Sequence, residues 1–130
     1  MKKVLVSIMS LLLCFSIFGF TPASAAGYTH FEYEEDGVRA GRTEEFPKEM
    51  NLSGTVEIVA VQYSPKTKDV NIKYTLVNID TDEKVSKSID GTYKSSSKTI
   101  KFTNVKEGRY IIKIKNNSEE KVYGNFLVYN

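Results

Sequence analysis

The sequence predicts an all-β protein, an antiparallel β-sandwich of about six to eight strands with an Ig-like or jelly-roll-like arrangement. Apolar and polar residues alternate from residue 54 onward with the two-residue period of half-buried strands. Turn-forming residues interrupt this alternation every eight to twelve residues or so, and no long stripe of helical period follows the N-terminal segment. Strands with one apolar face bury it by packing two sheets together, or by closing into a small β-barrel, which is the alternative.

The N-terminus has the features of an export signal. Lys2 and Lys3 precede an apolar run over residues 4–20, and an Ala-Ser-Ala sequence follows a proline. We expect residues 1–25 to be a signal peptide cleaved after Ala25; an uncleaved membrane anchor is the alternative. The only cysteine, Cys14, lies in the apolar run, so the processed chain has no thiol. The expected location is secreted or extracellular, with cell-wall association possible and no stable membrane anchor after cleavage.

Charge divides the processed chain into two parts. Without Lys2 and Lys3 the chain has 16 basic and 16 acidic residues, a balance that argues against binding nucleic acid through bulk charge. Residues 26–53 form an acidic N-terminal segment with no sustained apolar period, and residues 54–130 form the predicted β-sandwich domain. Either the acidic segment lies on the basic body and neutralises it, or it is an exposed arm that meets a partner.

The first predicted strands follow the acidic segment in order. Residues 55–63 are rich in β-branched side chains and end at a proline-containing turn, and residues 70–77 alternate apolar and polar. Residues 84–89 contain few apolar side chains and two lysines, a composition that is typical of an edge strand. After an Asp90-Gly91 turn, a short strand at Tyr93 precedes a polar tip and a further strand that includes Ile100 and Phe102.

The last third of the chain predicts a hairpin. A turn at 106–108 leads to a strand over 110–115, a second turn over 116–118, and a returning strand over 121–129. Gly124 inside that strand indicates a bulge or a close approach of another backbone. Tyr74 and Tyr110 fall on predicted inward faces, and one helical turn is the only helix expected, over 44–50.

The closing strands resemble those of small secreted bacterial β-sandwich modules. The sequence from Thr99 to Asn116, followed by Val122 to Tyr129, is similar to the end of bacterial pre-peptidase C-terminal domains and bacterial Ig-like domains. Strands in those domains run from a Gly-x-Tyr turn into an amphipathic strand and a Gly-x-Phe-x-Val ending. The resemblance implies a non-catalytic ligand-binding or stabilising fold.

Two acidic clusters have the residue types of a metal site. His30 has carboxylates close in sequence at Glu32, Glu34 and Glu35, although a solvated histidine in an acidic segment explains the pattern. Asp80 and Asp82 have the spacing of alternate calcium ligands, but the glycine and the distal glutamate of an EF-hand are missing. A weak loop calcium therefore stays an alternative to a simple turn.

The function expected from these features is that of a secreted, non-enzymatic binding or interaction protein. No credible catalytic set, cofactor site or metal site is predicted, and the partner is another protein or an anionic envelope polymer, not a nucleic acid. Tyrosine offers a flat apolar ring and a hydroxyl group for contacts with proteins or sugars. The candidate partner-binding residues are Tyr63, Tyr93, Tyr123, Tyr129, Lys113, Lys115 and Lys121.

Two other functions remain open at this stage. A small secreted hydrolase would use Glu32 and Glu57 as an acid and base pair, which requires two carboxyl groups about 5 to 10 Å apart in a cleft. An inhibitor or toxin-like protein would present the acidic segment to its partner.

Overall fold

The computed structural model describes residues 27–130, which form one antiparallel sheet of six strands in the order β1-β6-β2-β5-β3-β4. The predicted signal peptide lies outside the described residues. Within residues 27–130 no helix has the length and apolar character needed to cross a membrane. The strands are β1 (Tyr28–Glu32), β2 (Thr43–Tyr63), β3 (Asn71–Asn78), β4 (Lys84–Asp90), β5 (Tyr93–Asn116) and β6 (Tyr123–Tyr129).

Two long strands, β2 and β5, fold the sheet into two layers. Residues 43–52 of β2 pair with residues 108–115 of β5, whereas residues 56–62 of β2 pair with residues 93–102 of β5. The register shifts at the corner between these regions, where Gly54 lies opposite Val105. Gly54 and Asn104 take φ values of 73° and 58° there, and this left-handed backbone suits glycine and asparagine.

Each layer therefore contains four strand segments. The first layer has the order β4, β3, the C-terminal part of β5 and the N-terminal part of β2. The second layer has the order β1, β6, the C-terminal part of β2 and the N-terminal part of β5. This confirms the predicted all-β antiparallel sandwich. The alternative of a small closed barrel is wrong for the described residues, because the sheet ends at β1 and β4.

Aromatic side chains from both layers meet at the centre of the sandwich. Phe126 on β6 stacks on Phe31 of β1 with ring centroids 5.1 Å apart. On the opposite layer its ring meets Phe46 of β2 and Tyr74 of β3 edge to face, each at 5.4 Å. Such pairs stabilise the core beyond the burial of their area. Tyr74 and Tyr110 are both buried, as predicted from their parity.

A buried polar network crosses the same core. Gln62 is fully buried, and its amide donates to the carbonyl oxygens of Ile89 and Gly91 at 3.0 Å. It also accepts a 2.8 Å hydrogen bond from the Tyr74 hydroxyl, which lies 3.4 Å from the hydroxyl of Tyr33. Burial raises the pKa of Tyr33 to about 12 and that of Tyr74 well above its ordinary value. Both phenols therefore stay neutral and able to donate.

The acidic N-terminal segment is part of the sheet. Residues 28–32 form β1 and residues 43–53 form the first half of β2, so the helical turn predicted over 44–50 is wrong. Where the sequence suggested a boundary between residues 53 and 54, strand β2 continues without a break. Three of the six ion pairs among the described residues join an acid before residue 60 to a base after it: Glu57–Lys101, Glu49–Arg109 and Glu45–Lys113.

The hairpin predicted for the last third is also wrong. Strand β5 continues through residues 106–108, and β6 pairs with β1 and β2 in the other layer, not with β5. The buried Asn116 fixes the connection, because its amide donates to the carbonyl oxygens of Val38 and Glu120 at 2.8 Å. Asn116 thereby directs the chain across to β6.

Candidate functional site

The outward face of the second layer is unusually apolar for an exposed sheet. Strands β6 and β2 pair so that Tyr129 lies opposite Glu57, Leu127 opposite Val59, Asn125 opposite Val61, and Tyr123 opposite Tyr63. These eight residues are half-buried although they face outward, and Tyr28 on β1 lies beside Tyr129. We call this surface the aromatic face. It comprises Tyr28, Glu57, Val59, Val61, Tyr63, Tyr123, Asn125, Leu127 and Tyr129, and it is bordered on β1 by the exposed His30 and Glu32, which lie opposite Leu127 and Asn125.

One end of the aromatic face is a stack of two tyrosines and two lysines. The rings of Tyr63 and Tyr123 stack with centroids 6.0 Å apart and planes inclined by 23°. The ammonium nitrogen of Lys94 lies 4.9 Å from the Tyr63 ring centroid, and that of Lys121 lies 5.6 Å from the Tyr123 centroid. These are cation–π distances. The lysines therefore take up ring surface that a ligand would otherwise contact.

Glu34 fixes the polar tips of this stack. Its carboxylate accepts a 3.2 Å hydrogen bond from the Tyr63 hydroxyl and a 2.7 Å bond from the Asn125 amide. Partial desolvation raises the pKa of the Tyr63 hydroxyl, and the nearby Glu34 carboxylate raises it further. Tyr63 therefore stays protonated at neutral pH, and the carboxylate holds its side chain in one position.

The other end of the aromatic face is open. Tyr28 is 64% exposed, and its ring centroid lies 5.7 Å from that of Tyr129 with planes inclined by 37°. Six residues of extended strand separate Tyr123 from Tyr129, a distance of about 20 Å. Leu127 and Val59 lie between the two aromatic ends. The result is a shallow apolar strip along the strands with hydrogen-bonding groups at intervals.

The outward face of the first layer has a different chemistry. Lys113 and Lys115 lie there with Lys73 of β3, which pairs directly with Lys115. The neighbouring positions are mostly hydroxyl groups, among them Thr75 and Ser86, whose side-chain oxygens are 2.7 Å apart. We call this surface the lysine face. It comprises Thr43, Lys73, Thr75, Ser86, Ser88, Lys113 and Lys115, with the carboxylate of Glu45 opposite Lys113.

The structure thus separates the candidate residues predicted from sequence. Tyr63, Tyr123 and Tyr129 share the aromatic face with Lys121 beside it, whereas Lys113 and Lys115 lie on the opposite side of the sandwich. The expected outward position of Tyr93 is wrong: it pairs with the inward-facing Gln62 and packs against the core.

Sequence reasoning named only Tyr63, Tyr123 and Tyr129 of the aromatic face as candidate partner-binding residues, and Tyr28, Leu127 and Val59 are among the residues it missed. Tyr28 lay in the acidic segment, where no strand was expected. The sequence does contain a signal for Leu127 and Val59. Each has an apolar neighbour on both sides in sequence, which is typical of a strand covered on both faces. That pattern indicates a strand whose outward side is apolar too.

The geometry does not support the Glu32 and Glu57 hydrolase pair. The two residues lie two strands apart and four positions apart along the register, a separation of roughly 16 Å. Carboxyl pairs that cleave glycosidic bonds lie about 5 to 10 Å apart. Both carboxylates also face out from an open sheet and do not line a common cleft.

Neither acidic cluster forms a metal site within residues 27–130, where no group of three or more metal-ligating side chains is gathered. Asp80 instead receives two hydrogen bonds from Arg109, at 2.6 and 3.3 Å, and these lower the pKa of its carboxyl group. Asp82 pairs with Lys84 at 3.3 Å. In the other cluster, Glu34 is bound to the aromatic face, as described above.

The exposed acidic arm of the inhibitor or toxin-like alternative is not present. Residues 28–32 pair with β6 and residues 43–52 pair with β5, so this segment contributes to both layers. Phe31 and Tyr33 from this segment belong to the core, and Phe46 packs against it. Its removal would take away core aromatic residues, so deletion of the segment does not isolate a binding role.

Comparisons with known proteins give structural likenesses only. No protein-family model matches the chain, and a search of curated proteins finds no match. Among solved structures, the chain is similar to a carbohydrate-binding module of Cellvibrio mixtus lichenase 5A in complex with cellotriose, with 16% identity, 82% of this chain and 90% of that chain covered, and a TM-score of 0.49. TmCBM61 in complex with β-1,4-galactotriose gives 17% identity, coverages of 77% and 66%, and a TM-score of 0.45.

A third likeness, to the module BiXyn10A CBM1 in its apo form, has 6% identity, coverages of 82% and 92%, and a TM-score of 0.42. Because all three TM-scores are below 0.5, these likenesses carry no argument about ligands, and the two-layer fold rests on its own geometry. The resemblance of the closing strands to pre-peptidase C-terminal and Ig-like domains stays a prediction.

Proposed function

We propose that this chain is a secreted, non-enzymatic binding module that holds an extended carbohydrate chain on its aromatic face. The observation that carries the proposal is the apolar strip on the outward side of the second layer, which has aromatic pairs at both ends. Sheet faces directed to solvent are usually polar, and a contiguous apolar patch on such a face indicates an interaction surface.

The shape of the face favours a chain over a compact small molecule. The strip follows the strands for about 20 Å and is open along its length. A ligand that lies along it meets Tyr129 and Tyr28 at one end and Leu127 and Val59 in the middle. Small-molecule sites, by contrast, enclose most of the ligand surface in a concave pocket.

The chemistry of the face favours carbohydrate over a purely apolar partner. Sugar rings present C–H surfaces that pack on tyrosine, and hydroxyl groups that need hydrogen-bonding partners. Here the apolar residues alternate across the strands with polar ones: Asn125 lies opposite Val61, and Glu57 opposite Tyr129. Tyr28 offers the most accessible ring. The Tyr63 and Tyr123 rings contribute edges and a hydroxyl group, because the lysines contact their faces.

Secretion is part of the proposal. A charged n-region, an apolar run and an Ala-Ser-Ala site together favour export, and external carbohydrate polymers would then be accessible to the module. Detection of the processed chain, beginning at Ala26, in the medium or wall fraction of an expressing bacterium would support this part. Retention of residues 1–25 on a membrane-bound product would contradict it.

The binding test uses the processed chain, residues 26–130, with a panel of neutral polysaccharides: cellulose, xylan, mannan and chitin. Pull-down with the insoluble polymers, followed by calorimetry with soluble oligosaccharides of the polymer that binds, gives the affinity. Tyr28→Ala should weaken binding by about tenfold, equivalent to about 1.4 kcal/mol. Salt should have little effect, because the polysaccharides of the panel are uncharged.

A matched pair of aliphatic variants locates the binding surface. Leu127 and Ile111 are both half-buried and outward-facing, but they lie on opposite layers. Leu127→Ala should weaken carbohydrate binding, whereas Ile111→Ala should leave it unchanged. Equal effects of the two variants, or binding to no polymer in the panel, would refute the proposal.

A further inference from the structure

The lysine face brings two positive charges together without an opposing carboxylate between them. Lys73 and Lys115 are directly paired residues on the neighbouring strands β3 and β5. Paired side chains on neighbouring strands have Cβ atoms about 5 Å apart, and like charges in such positions destabilise a sheet. Within residues 27–130 neither ammonium group has a carboxylate within 4.0 Å.

Hydrogen-bond donors continue this row on both sides. Ser88 of β4 pairs with Lys73, and Thr43 of β2 pairs with Lys115. The row across all four strands of the first layer is therefore hydroxyl, ammonium, ammonium, hydroxyl. All four side chains point to the same outward side, because paired residues share one face of a sheet.

A third ammonium group extends the site along the strands. Lys113 lies two residues from Lys115, about 7 Å away on the same face. Its nearest acid is Glu45, at 3.8 Å and on the surface, and such pairs hold their partners weakly. Three positive charges are thus spread over an open surface, which suits a ligand with repeated negative charges.

We infer that the lysine face binds a linear polyanion, whose phosphate or carboxylate groups lie between Lys73 and Lys115 and next to Lys113. One anionic group neutralises the repulsion of the paired lysines and accepts hydrogen bonds from both ammonium groups. The flanking hydroxyl groups of Ser88 and Thr43 donate to the same group or to its neighbour. A polymer gains affinity because it makes several such contacts at once, whereas a small anion on this open surface makes only one contact.

This site is independent of the carbohydrate proposal. The lysine face and the aromatic face lie on opposite outer surfaces of the sandwich, so no residue belongs to both. Neutral polysaccharide binding and polyanion binding can therefore fail separately. If both hold, the module links a neutral polymer to an anionic one.

The experiment compares two charge-matched double variants of the processed chain. Lys73→Gln with Lys115→Gln removes the paired charges, and Lys66→Gln with Lys68→Gln removes two exposed charges from the turn between β2 and β3. The probes are inorganic polyphosphate and polygalacturonate of defined length, with duplex DNA as a third polyanion. Binding is measured by calorimetry at several sodium chloride concentrations, and circular dichroism verifies that each variant is folded.

For one or both of the first two probes, the lysine-face variant should lose about tenfold in affinity near 0.1 M salt, and the slope of log K against log salt should fall by about two. The turn variant should bind within about twofold of the wild type. A preference for polyphosphate or for polygalacturonate distinguishes a phosphate ligand from a carboxylate ligand. Equal losses of affinity in the two variants would show that binding depends on diffuse surface charge and not on the paired lysines, and this would overturn the inference. Tighter binding to DNA than to either other probe would also overturn it.

Discussion

Replacement of Phe126 by alanine should remove much of the stability of the fold. The ring is fully buried and lies within 5.1 to 5.4 Å of Phe31, Phe46 and Tyr74, measured between centroids. These three rings belong to β1, β2 and β3, so Phe126 joins the two layers. Phe→Ala changes in protein cores cost about 3–5 kcal/mol.

We expect a cost of about 4 kcal/mol, because strands in two layers would have to move together to fill the cavity. Domains of this size have free energies of unfolding of about 5–15 kcal/mol, so the change removes a large share. The neighbouring change Leu127→Ala is the control: Leu127 is half-buried and faces outward, so its loss should cost about 1 kcal/mol.

Urea denaturation followed by circular dichroism measures both costs. With a slope of about 2 kcal/mol per molar urea, Phe126→Ala should lower the midpoint by roughly 2 M and Leu127→Ala by roughly 0.5 M. The binding assay should rank the two variants differently, because only Leu127 contacts the proposed ligand. A Phe126→Ala midpoint no lower than that of Leu127→Ala would refute the description of the core.

Three further outcomes follow from the structure. Gly124→Ala should cost about 3 kcal/mol in urea denaturation, because its methyl group would overlap a backbone carbonyl of β2; a cost near zero would contradict this close approach. Burial raises the pKa of Tyr33 to about 12 from the ordinary 10.0. The contribution of this phenol to the free energy of unfolding is therefore complete below about pH 10 and is lost as the pH rises toward 12. Over this pH range the free energy of unfolding of Tyr33→Phe should fall less than that of the wild type, by up to about 2.7 kcal/mol. Lys115→Gln should raise thermal stability at low salt by about 0.2–1 kcal/mol because it relieves repulsion from Lys73, and a gain that persists at 1 M salt would show another cause.

The strands with sustained alternation were predictable from sequence, and so was the class of fold. Residues 55–63 and 70–77 alternate over four or more positions, and the structure places β2 and β3 there with the expected parity. The close backbone approach predicted at Gly124 is also present: the β2 backbone lies against this glycine. The carbonyl oxygen of Gly124 accepts a hydrogen bond from the Tyr33 amide at 2.8 Å. Local patterns determine these features, so local reasoning found them.

The missed elements depend on long-range pairing. Phe31 and Tyr33 alternate with glutamates over too few residues to stand out, and β1 forms because β6 lies beside it, almost one hundred residues later. The Glu107-Gly108 pair is typical of a turn, but the corner opposite Gly54 bends the strand there without reversing it. The sequence therefore predicted local turns where the structure has a fold between layers.

The candidate site was predictable in part for the same reason. Alternation along β6 put Tyr123 and Tyr129 on one side of the strand, but only the register with β2 and β1 adds Tyr63 and Tyr28 to that surface. The lysines of β5 were found as residues but not as a pair, because Lys73 reaches Lys115 from another strand.

Strands β2 and β5 have a mechanical and kinetic consequence, since each runs through both layers. Neither layer is complete before the corner at Gly54 and Val105 has formed, so the chain should fold and unfold in one cooperative step, and slowly, because its contacts join distant residues. A polymer held on one outer surface then protects the opposite surface from proteolysis, although the two surfaces share no residue.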